Sequence, residues 1–200
     1  MNKFYSLILS ILTLSLNLNA QILEDFTNSN ATGAYSDNSF VGNSSITWSY
    51  VESRDANGDA NASGISLPAL MLRRSSDNSK ITSSSISGGI SDFSVKLYKG
   101  FTGAGNRQVE LFVNGVSKGT STPFDDFTEH IFSVSGINVS GSVVIELVNT
   151  TSKQVIVDDI SVTNYTAPIT STINLNTTGG SWPSERWVSI TTAINGGGTL

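Results

Sequence analysis

The residues of this chain that could do chemistry are few, and their types exclude the common catalytic arrangements. His130 is the only histidine and cysteine is absent, so neither a His-rich zinc site nor a thiolate nucleophile can form. Serine is abundant, but no G-x-S-x-G nucleophile elbow occurs. A lone histidine in a strand-like segment belongs more often to a surface or an edge than to a catalytic pair. These observations predict that the chain is not itself an enzyme.

Two loops have part of the composition of a ligand-binding motif but not its context. The segment F-T-G-A-G-N-R (101–107) has two glycines, yet it joins strands and opens no helix, which favours a flexible loop over a phosphate cradle. The segment R-D-A-N-G-D-A-N (54–61) has the oxygen spacing of a calcium loop but lacks the bidentate glutamate of an EF-hand. We interpret both as turn-rich connections.

An acidic pair, Asp158 and Asp159, interrupts the strand-like run V-I-V-D-D-I-S-V at 155–162. Because side chains of a regular strand alternate between its faces, Asp158 should share a face with Ile156 and Ile160. If that face is the core, an unpaired carboxylate there costs several kcal/mol. We therefore expect a partner for Asp158, or a position at the rim of the sheet.

Sugar recognition needs an exposed aromatic ring beside hydrogen-bonding groups, because a pyranose has an apolar face and a fringe of hydroxyl groups. Two predicted strands alternate inward apolar residues with outward polar and aromatic ones. The outward residues are Lys96, Tyr98, Glu110 and Phe112. We predict one glycan-binding surface from these four, the alternative being that they decorate a solvated face or pack beneath a loop.

Short apolar runs of period two recur along the chain, separated by clusters of Gly, Asn, Asp and Ser, and no segment keeps a helical period. The clearest is the hairpin around Asn114-Gly115, since both residues tolerate the positive φ of a type I′ turn. Aromatic residues at Trp48 and Tyr50 are expected in the core or at its rim. We predict an all-β fold: an antiparallel two-sheet β-sandwich of jelly-roll type over residues 21–165.

The two ends of the chain are predicted to lie outside this domain. Residues 1–20 have the form of a signal peptide, with Lys3, an apolar run and a small residue at Ala20. This predicts a protein that is secreted or held at a bacterial cell surface, with no membrane attachment after cleavage. Residues 166–171 are predicted to be a linker, and 172–200 the truncated start of a second β domain.

The charge of the chain argues against nucleic-acid partners. The formal net charge is −5 at pH 7, and it becomes −6 without Lys3, the only charged residue of the predicted signal peptide. An acidic surface repels phosphate backbones and anionic lipid. We therefore predict no binding of nucleic acid through this module.

Five motifs resemble those of β-sandwich modules in secreted multidomain proteins of type IX-secreting bacteria, relatives of galactose-binding-like and carbohydrate-binding jelly rolls. The matching stretches are L-E-D-F-T-N (23–28), A-L-M-L-R (69–73), I-S-G-G-I (86–90), V-E-L-F-V-N-G (109–115) and V-I-V-D-D-I-S-V (155–162). The resemblance spans nearly all of residues 24–159. It implies that the full-length chain carries other domains.

The same resemblance implies a structural calcium ion. In related carbohydrate-binding sandwiches such an ion joins the first strand to the last. Carried over by position, its ligands are Glu24 and Asp158, with Asp25 or Asp159 as alternatives. Ca²⁺ is coordinated by about six to eight hard oxygens, which carboxylates supply. The competing interpretations are that Asp158 accepts hydrogen bonds without a metal, or that it faces outward.

Taken together, the sequence and the resemblance predict a non-catalytic accessory module that binds a polysaccharide or a cell-surface glycan, or serves adhesion, within a larger secreted protein. One alternative is a domain appended to an extracellular nuclease or other hydrolase whose catalytic part lies elsewhere. The other is a structural spacer without a ligand.

Overall fold

The structure is a computed structural model that describes residues 21–56, 65 and 67–167. In this part of the chain there are eleven strands, all paired antiparallel, and two short 3₁₀ turns, Asn43–Ser45 and Ser75–Asp77. The strands are β1 (Gln21–Glu24), β2 (Ser36–Val41), β3 (Thr47–Asp55), β4 (Leu70–Leu72), β5 (Lys80–Ser83), β6 (Asp92–Lys99), β7 (Val109–Val113), β8 (Val116–Thr120), β9 (His130–Val134), β10 (Ile145–Asn149) and β11 (Val155–Thr163). Over these residues no helix has the length and apolar character needed to cross a bilayer.

The strands belong to one continuous sheet that is divided into two halves by a bend in β3. Nine strands follow the order β8-β7-β10-β5-β3-β4-β11-β6-β9, while β2 pairs with β3 and β1 with β11. Residues up to Val51 of β3 pair with β5, and residues from Ser53 pair with β4. Between them Glu52 has a φ of 43°, in the left-handed region where a strand loses its regular path. The all-β antiparallel class is confirmed, and the two predicted sheets are halves of one sheet.

Both halves of the sheet contribute to a single apolar core. It includes Ile81 and Leu111 from one half and Val95 and Val157 from the other. Burying an aliphatic side chain of this size stabilises the fold by about 1.5–3 kcal/mol. Trp48 and Tyr50 lie in this core, as well as Phe93 and Leu97.

The predicted hairpin is confirmed. β7 and β8 are joined by Asn114 and Gly115, whose φ values are 51° and 75°. These positive values explain why an Asn-Gly pair occupies the turn, since most other residues would be strained there.

The predicted alternation along β11 is wrong in its second half. The register shifts between Asp158 and Ser161, and Asp159 has a φ of 48°. This β-bulge inserts one extra residue, so the face assignment reverses across it. Val157 and Ile160 therefore both face the core, while Asp158 projects from the opposite face.

Several predictions concern parts of the chain outside the described residues. They are the signal peptide at 1–20, the part of the 166–171 linker that follows Ala167, and the second β domain at 172–200. The N-G-D part of the 54–61 loop also lies outside them. These stay predictions.

Candidate functional site

Two rows of side chains cross the outer face of β7, β10 and β5. In the first row, Glu110 is paired with Val148, and Val148 with Lys80. In the second, Phe112 is paired with Glu146. Cross-strand partners project from the same face of a sheet, and the residues between them in β7 and β10 face the core. These five residues therefore form one outward surface.

This surface is the floor of a groove of about 320 Å³. Ligand pockets have volumes of roughly 300–1,000 Å³, so the groove suits a small ligand or a short segment of a polymer. One end is formed where β5 begins and β10 ends. The residues that line the groove are Ser75, Asn78, Lys80, Glu110, Phe112, Glu146, Val148, Asn149 and Thr150.

The charged groups of the groove are held in place by their neighbours. The ammonium group of Lys80 lies 2.6 Å from Oε2 of Glu146, which also accepts the hydroxyl group of Thr82 at 3.2 Å. Oε1 of Glu110 accepts the hydroxyl group of Ser117 at 2.6 Å. A carboxylate has about four lone-pair sites, so Glu110 and Glu146 can both accept further hydrogen bonds from a ligand.

Phe112 is the aromatic residue of the groove and is only half-buried. Its cross-strand neighbours are Glu146 on one side and Ser117 on the other. An aromatic ring between polar groups can pack against the apolar side of a ligand whose edge carries hydrogen-bonding groups. Of the four residues predicted for a glycan-binding surface, Glu110 and Phe112 are the two that line this groove.

The prediction that four residues share one binding surface is wrong. Glu110 and Phe112 lie in the groove, but Lys96 and Tyr98 belong to β6, and five strands separate β6 from β7 in the sheet order. Tyr98 does face away from the main core, yet it is only 2% exposed and its hydroxyl group donates to Glu129 at 2.6 Å. Lys96 is paired with Asp159 at 2.9 Å.

Tyr98 is buried because a second, smaller apolar cluster covers this outer face. Met71, Tyr98 and Ile156 project from β4, β6 and β11, and Tyr35 and Phe101 pack over them. Burial and the neighbouring Glu129 carboxylate raise the pKa of the Tyr98 phenol. Tyr98 therefore packs beneath a loop, which was the alternative to its being part of a glycan-binding surface.

Glu24, the first predicted calcium ligand, is fully buried and hydrogen-bonded to the backbone. Its Oε1 accepts the amide of Phe26 at 2.8 Å, and its Oε2 accepts the amide of Asn43 at 2.9 Å. In the register of β1 and β11, Glu24 is opposite Ile160, so it projects from the core face. Burial raises the pKa of the Glu24 carboxyl.

Asp158, the second predicted ligand, projects from the other face of the sheet. Its cross-strand partner is Lys96, and its Oδ1 accepts the amide of Asp159 at 2.8 Å. The residue is 5% exposed, and this burial raises the pKa of its carboxyl to about 7. Among the described residues, no group of three or more acidic or histidine side chains is arranged to hold a metal ion. Glu24 and Asp158 do not converge, so this pair does not fit one shared calcium ion.

Arg107 organises the loop that the sequence analysis interpreted as flexible. Its guanidinium group is fully buried and donates to the carbonyl groups of Gly100, at 2.9 Å, and Gly103, at 2.8 Å. It also donates to the carbonyl group of Gly105 and the carboxylate of Asp125. The hydrogen bonds of this one buried side chain therefore hold the loop in place.

His130 contacts neighbouring side chains of the fold. Its ring stacks on Phe124 with a centroid distance of 4.1 Å, and its Nε2 lies 2.9 Å from Asp126. β9, which carries His130, is an edge strand. The surface or edge position predicted for this histidine is confirmed.

Sequence reasoning missed three groups of the groove: Lys80, Glu146 and the neutral end formed by Asn78 and Thr150. The alternation within β5 and β10 identifies Lys80 and Glu146 as outward-facing. Only the long-range pairing of β10 with both β5 and β7 brings them next to Phe112.

No protein-family model matches the chain, and no curated protein matches its sequence. Solved structures with some likeness include the CBM36-1 domain of a multidomain xylanase from the hindgut metagenome of Trinervitermes trinervoides. It has a TM-score of 0.45 and 15% identity over 74% of this chain and 98% of that chain. The carbohydrate-binding module CBM36 in complex with calcium and xylotriose has a TM-score of 0.44 and 16% identity over 71% and 97%.

A third similar structure is the K3 cleaved adhesin domain of Lys-gingipain from Porphyromonas gingivalis W83. Its TM-score is 0.45 and its identity 11%, over 72% of this chain and 100% of that chain. TM-scores below 0.5 do not establish a common fold.

Proposed function

We propose that this chain is a non-catalytic glycan-binding module and that the groove over β7, β10 and β5 is its binding surface. The observation that carries the proposal is the half-buried ring of Phe112 beside two carboxylates, those of Glu110 and Glu146, on one sheet face. The aromatic ring supplies apolar contact, and the carboxylates accept hydrogen bonds from hydroxyl groups.

The geometry suits a sugar better than a wholly apolar ligand. A carboxylate oxygen is a strong acceptor, and charge-assisted hydrogen bonds are roughly twice as strong as neutral ones. Lys80 orients Glu146, and Ser117 orients Glu110, so both acceptors are positioned before a ligand arrives. Such preorganisation lowers the entropic cost of binding.

The wider context is part of the same proposal. We place the module in an exported protein of several domains, with residues 1–20 as its export signal and other domains of the same chain as its covalent partners. Membership of a type IX-secreted protein rests on the five motifs alone. Neither secretion nor adhesion is needed for the groove to bind a glycan.

Isothermal titration of the chain from Gln21 to Leu200 with soluble polysaccharides tests the proposal. The substitution Phe112→Ala should raise the dissociation constant at least tenfold, which corresponds to a loss of about 1.4 kcal/mol of binding free energy. The matched control is Phe127→Ala, because Phe127 is a surface ring, 36% exposed, that does not line the groove. Equal affinities of the two variants would refute the assignment of the groove.

The rival functions are distinguished by two further experiments. A structural spacer would bind no glycan in a broad array. A domain appended to a hydrolase or nuclease would still bind through Phe112, and sequencing of the gene beyond Leu200 would reveal the catalytic motifs. Binding that survives Phe112→Ala would point to a different surface of the module.

A further inference from the structure

We infer that the groove selects uncharged glycan chains over chains that carry carboxylate or sulfate groups. This inference rests on the proposed function and names the ligand class of the same site. It is based on the balance of charges along the groove and on which of those charges is already neutralised.

The lining of the groove contains one cation, Lys80, and two anions, Glu110 and Glu146, so it carries a net charge of −1. Lys80 is 2.6 Å from Glu146, and these two form an ion pair. The partner of Glu110 is the hydroxyl group of Ser117, which is neutral. The uncompensated negative charge is therefore that of Glu110, two residues from Phe112 on the same strand and the same face.

An acidic sugar stacked on Phe112 would place its charge close to Glu110. Like charges in contact oppose binding, and a site discriminates most strongly through such unfavourable contacts. The charge of Lys80 is already paired with Glu146, so that carboxylate offsets the attraction of Lys80 for an acidic sugar. The net charge of the whole chain, −5, has the same sign and repels a polyanion during its approach.

A neutral glycan meets complementary groups instead. Its hydroxyl groups can donate to Glu110 and Glu146, and the end of the groove offers the neutral side chains of Ser75, Asn78 and Thr150. Amide and hydroxyl groups both donate and accept hydrogen bonds. They can pair with sugar hydroxyl groups in either direction and require no charge on the ligand.

The test compares two panels of oligosaccharides of equal length with the chain from Gln21 to Leu200. The neutral panel contains fragments of β-glucan, xylan, mannan and galactan, and the acidic panel contains oligogalacturonate, alginate and sulfated oligomers. We expect the best neutral ligand to bind at least tenfold tighter than any acidic one. Its affinity should not change between 20 and about 500 mM salt, whereas weak acidic binding should strengthen as salt screens the repulsion.

A charge-matched pair of variants assigns the effect to the groove. Glu110→Gln should strengthen the binding of acidic oligomers at least threefold. Glu129→Gln also removes one negative charge, but beside Tyr98 and outside the lining of the groove. This variant should leave the affinity for acidic oligomers unchanged. An acidic ligand that binds tightest and weakens with salt would overturn the inference and leave the proposed function intact. Absence of binding to both panels would overturn the proposed function itself.

Discussion

The fully buried guanidinium group of Arg107 donates to the carboxylate of Asp125, which is 36% exposed at the surface. Arg107 also donates to the carbonyl groups of three glycines in the loop before it and to that of Gln154. Burial lowers the pKa of Arg107, and the Asp125 carboxylate opposes this effect. One cation thus donates to several loop carbonyl groups at once, to that of Gly100 in a buried hydrogen bond and to the others in partly buried ones.

Replacing Arg107→Ala should lower the free energy of unfolding by about 3–5 kcal/mol, because the carbonyl groups lose their donors and the side chain leaves a cavity. Urea unfolding measures the change. The control is Arg74→Ala, since Arg74 is 39% exposed and its ion pair with Asp77 lies at the surface. Such pairs contribute about 0–1 kcal/mol. Similar losses in the two variants would show that Arg107 is not a structural anchor.

Glu24→Gln should destabilise the protein by about 1–3 kcal/mol. The glutamine keeps the shape of the side chain, but its NH₂ group would meet the amide of Phe26 or that of Asn43 where an acceptor is now present. Because Glu24 accepts two backbone amides and projects from the opposite face to Asp158, we expect EDTA not to change the melting temperature of the native chain. A native midpoint that falls with EDTA and recovers with Ca²⁺, when that of Glu24→Gln does neither, would restore calcium as the partner of Glu24.

Gly42→Ala should be at least as destabilising, by about 1–3 kcal/mol, through overpacking. A Cβ atom at Gly42 would lie 1.8 Å from Oε2 of Glu24 and 2.8 Å from Cδ1 of Trp48. Both neighbours are fully buried and have little room to move. Gly33→Ala is the control, because there the nearest atom of Arg54 is at an ordinary 3.7 Å. Thermal unfolding of the two variants gives the comparison, and an unchanged Gly42→Ala midpoint would contradict the packing described.

The stability of the protein should fall as the pH rises from about 4 to 7. The ordinary pKa of Asp158 is 3.8 and burial raises it to about 7, so in this range the folded state holds a proton that the unfolded state releases. The raised pKa of Glu24 acts in the same direction. Asp126, whose pKa is lowered by Thr128 and His130, acts in the opposite direction, mainly at pH values below about 5.

Melting temperatures at pH 4.5 and pH 8 of the native chain and of Asp158→Asn test this prediction. The asparagine cannot ionise, so the variant should lose less stability between the two pH values than the native chain. Asp37→Asn removes one charge at an exposed site and should keep the native difference. Equal pH dependence in all three proteins would show that Asp158 does not titrate in this range.

The sequence by itself determined the local features of this protein. Alternation placed Val109, Leu111 and Val113 inward, and their outward neighbours Glu110 and Phe112 were correctly assigned to one face. Asn114-Gly115 specified its turn, because the φ values of a two-residue turn depend on those two residues. Such features follow from neighbours along the chain, where the physical constraints are steric and short-range.

Only the tertiary structure decided which of these segments meet. One extra residue at Asp159 reversed the faces of β11 and separated Asp158 from Glu24, and the strand order placed Lys96 and Tyr98 far from Phe112. A β-bulge and a strand order depend on hydrogen bonds between residues remote in sequence, which no local pattern encodes. The same holds for Arg107, whose burial among loop carbonyl groups cannot be inferred from a charged residue that follows two glycines.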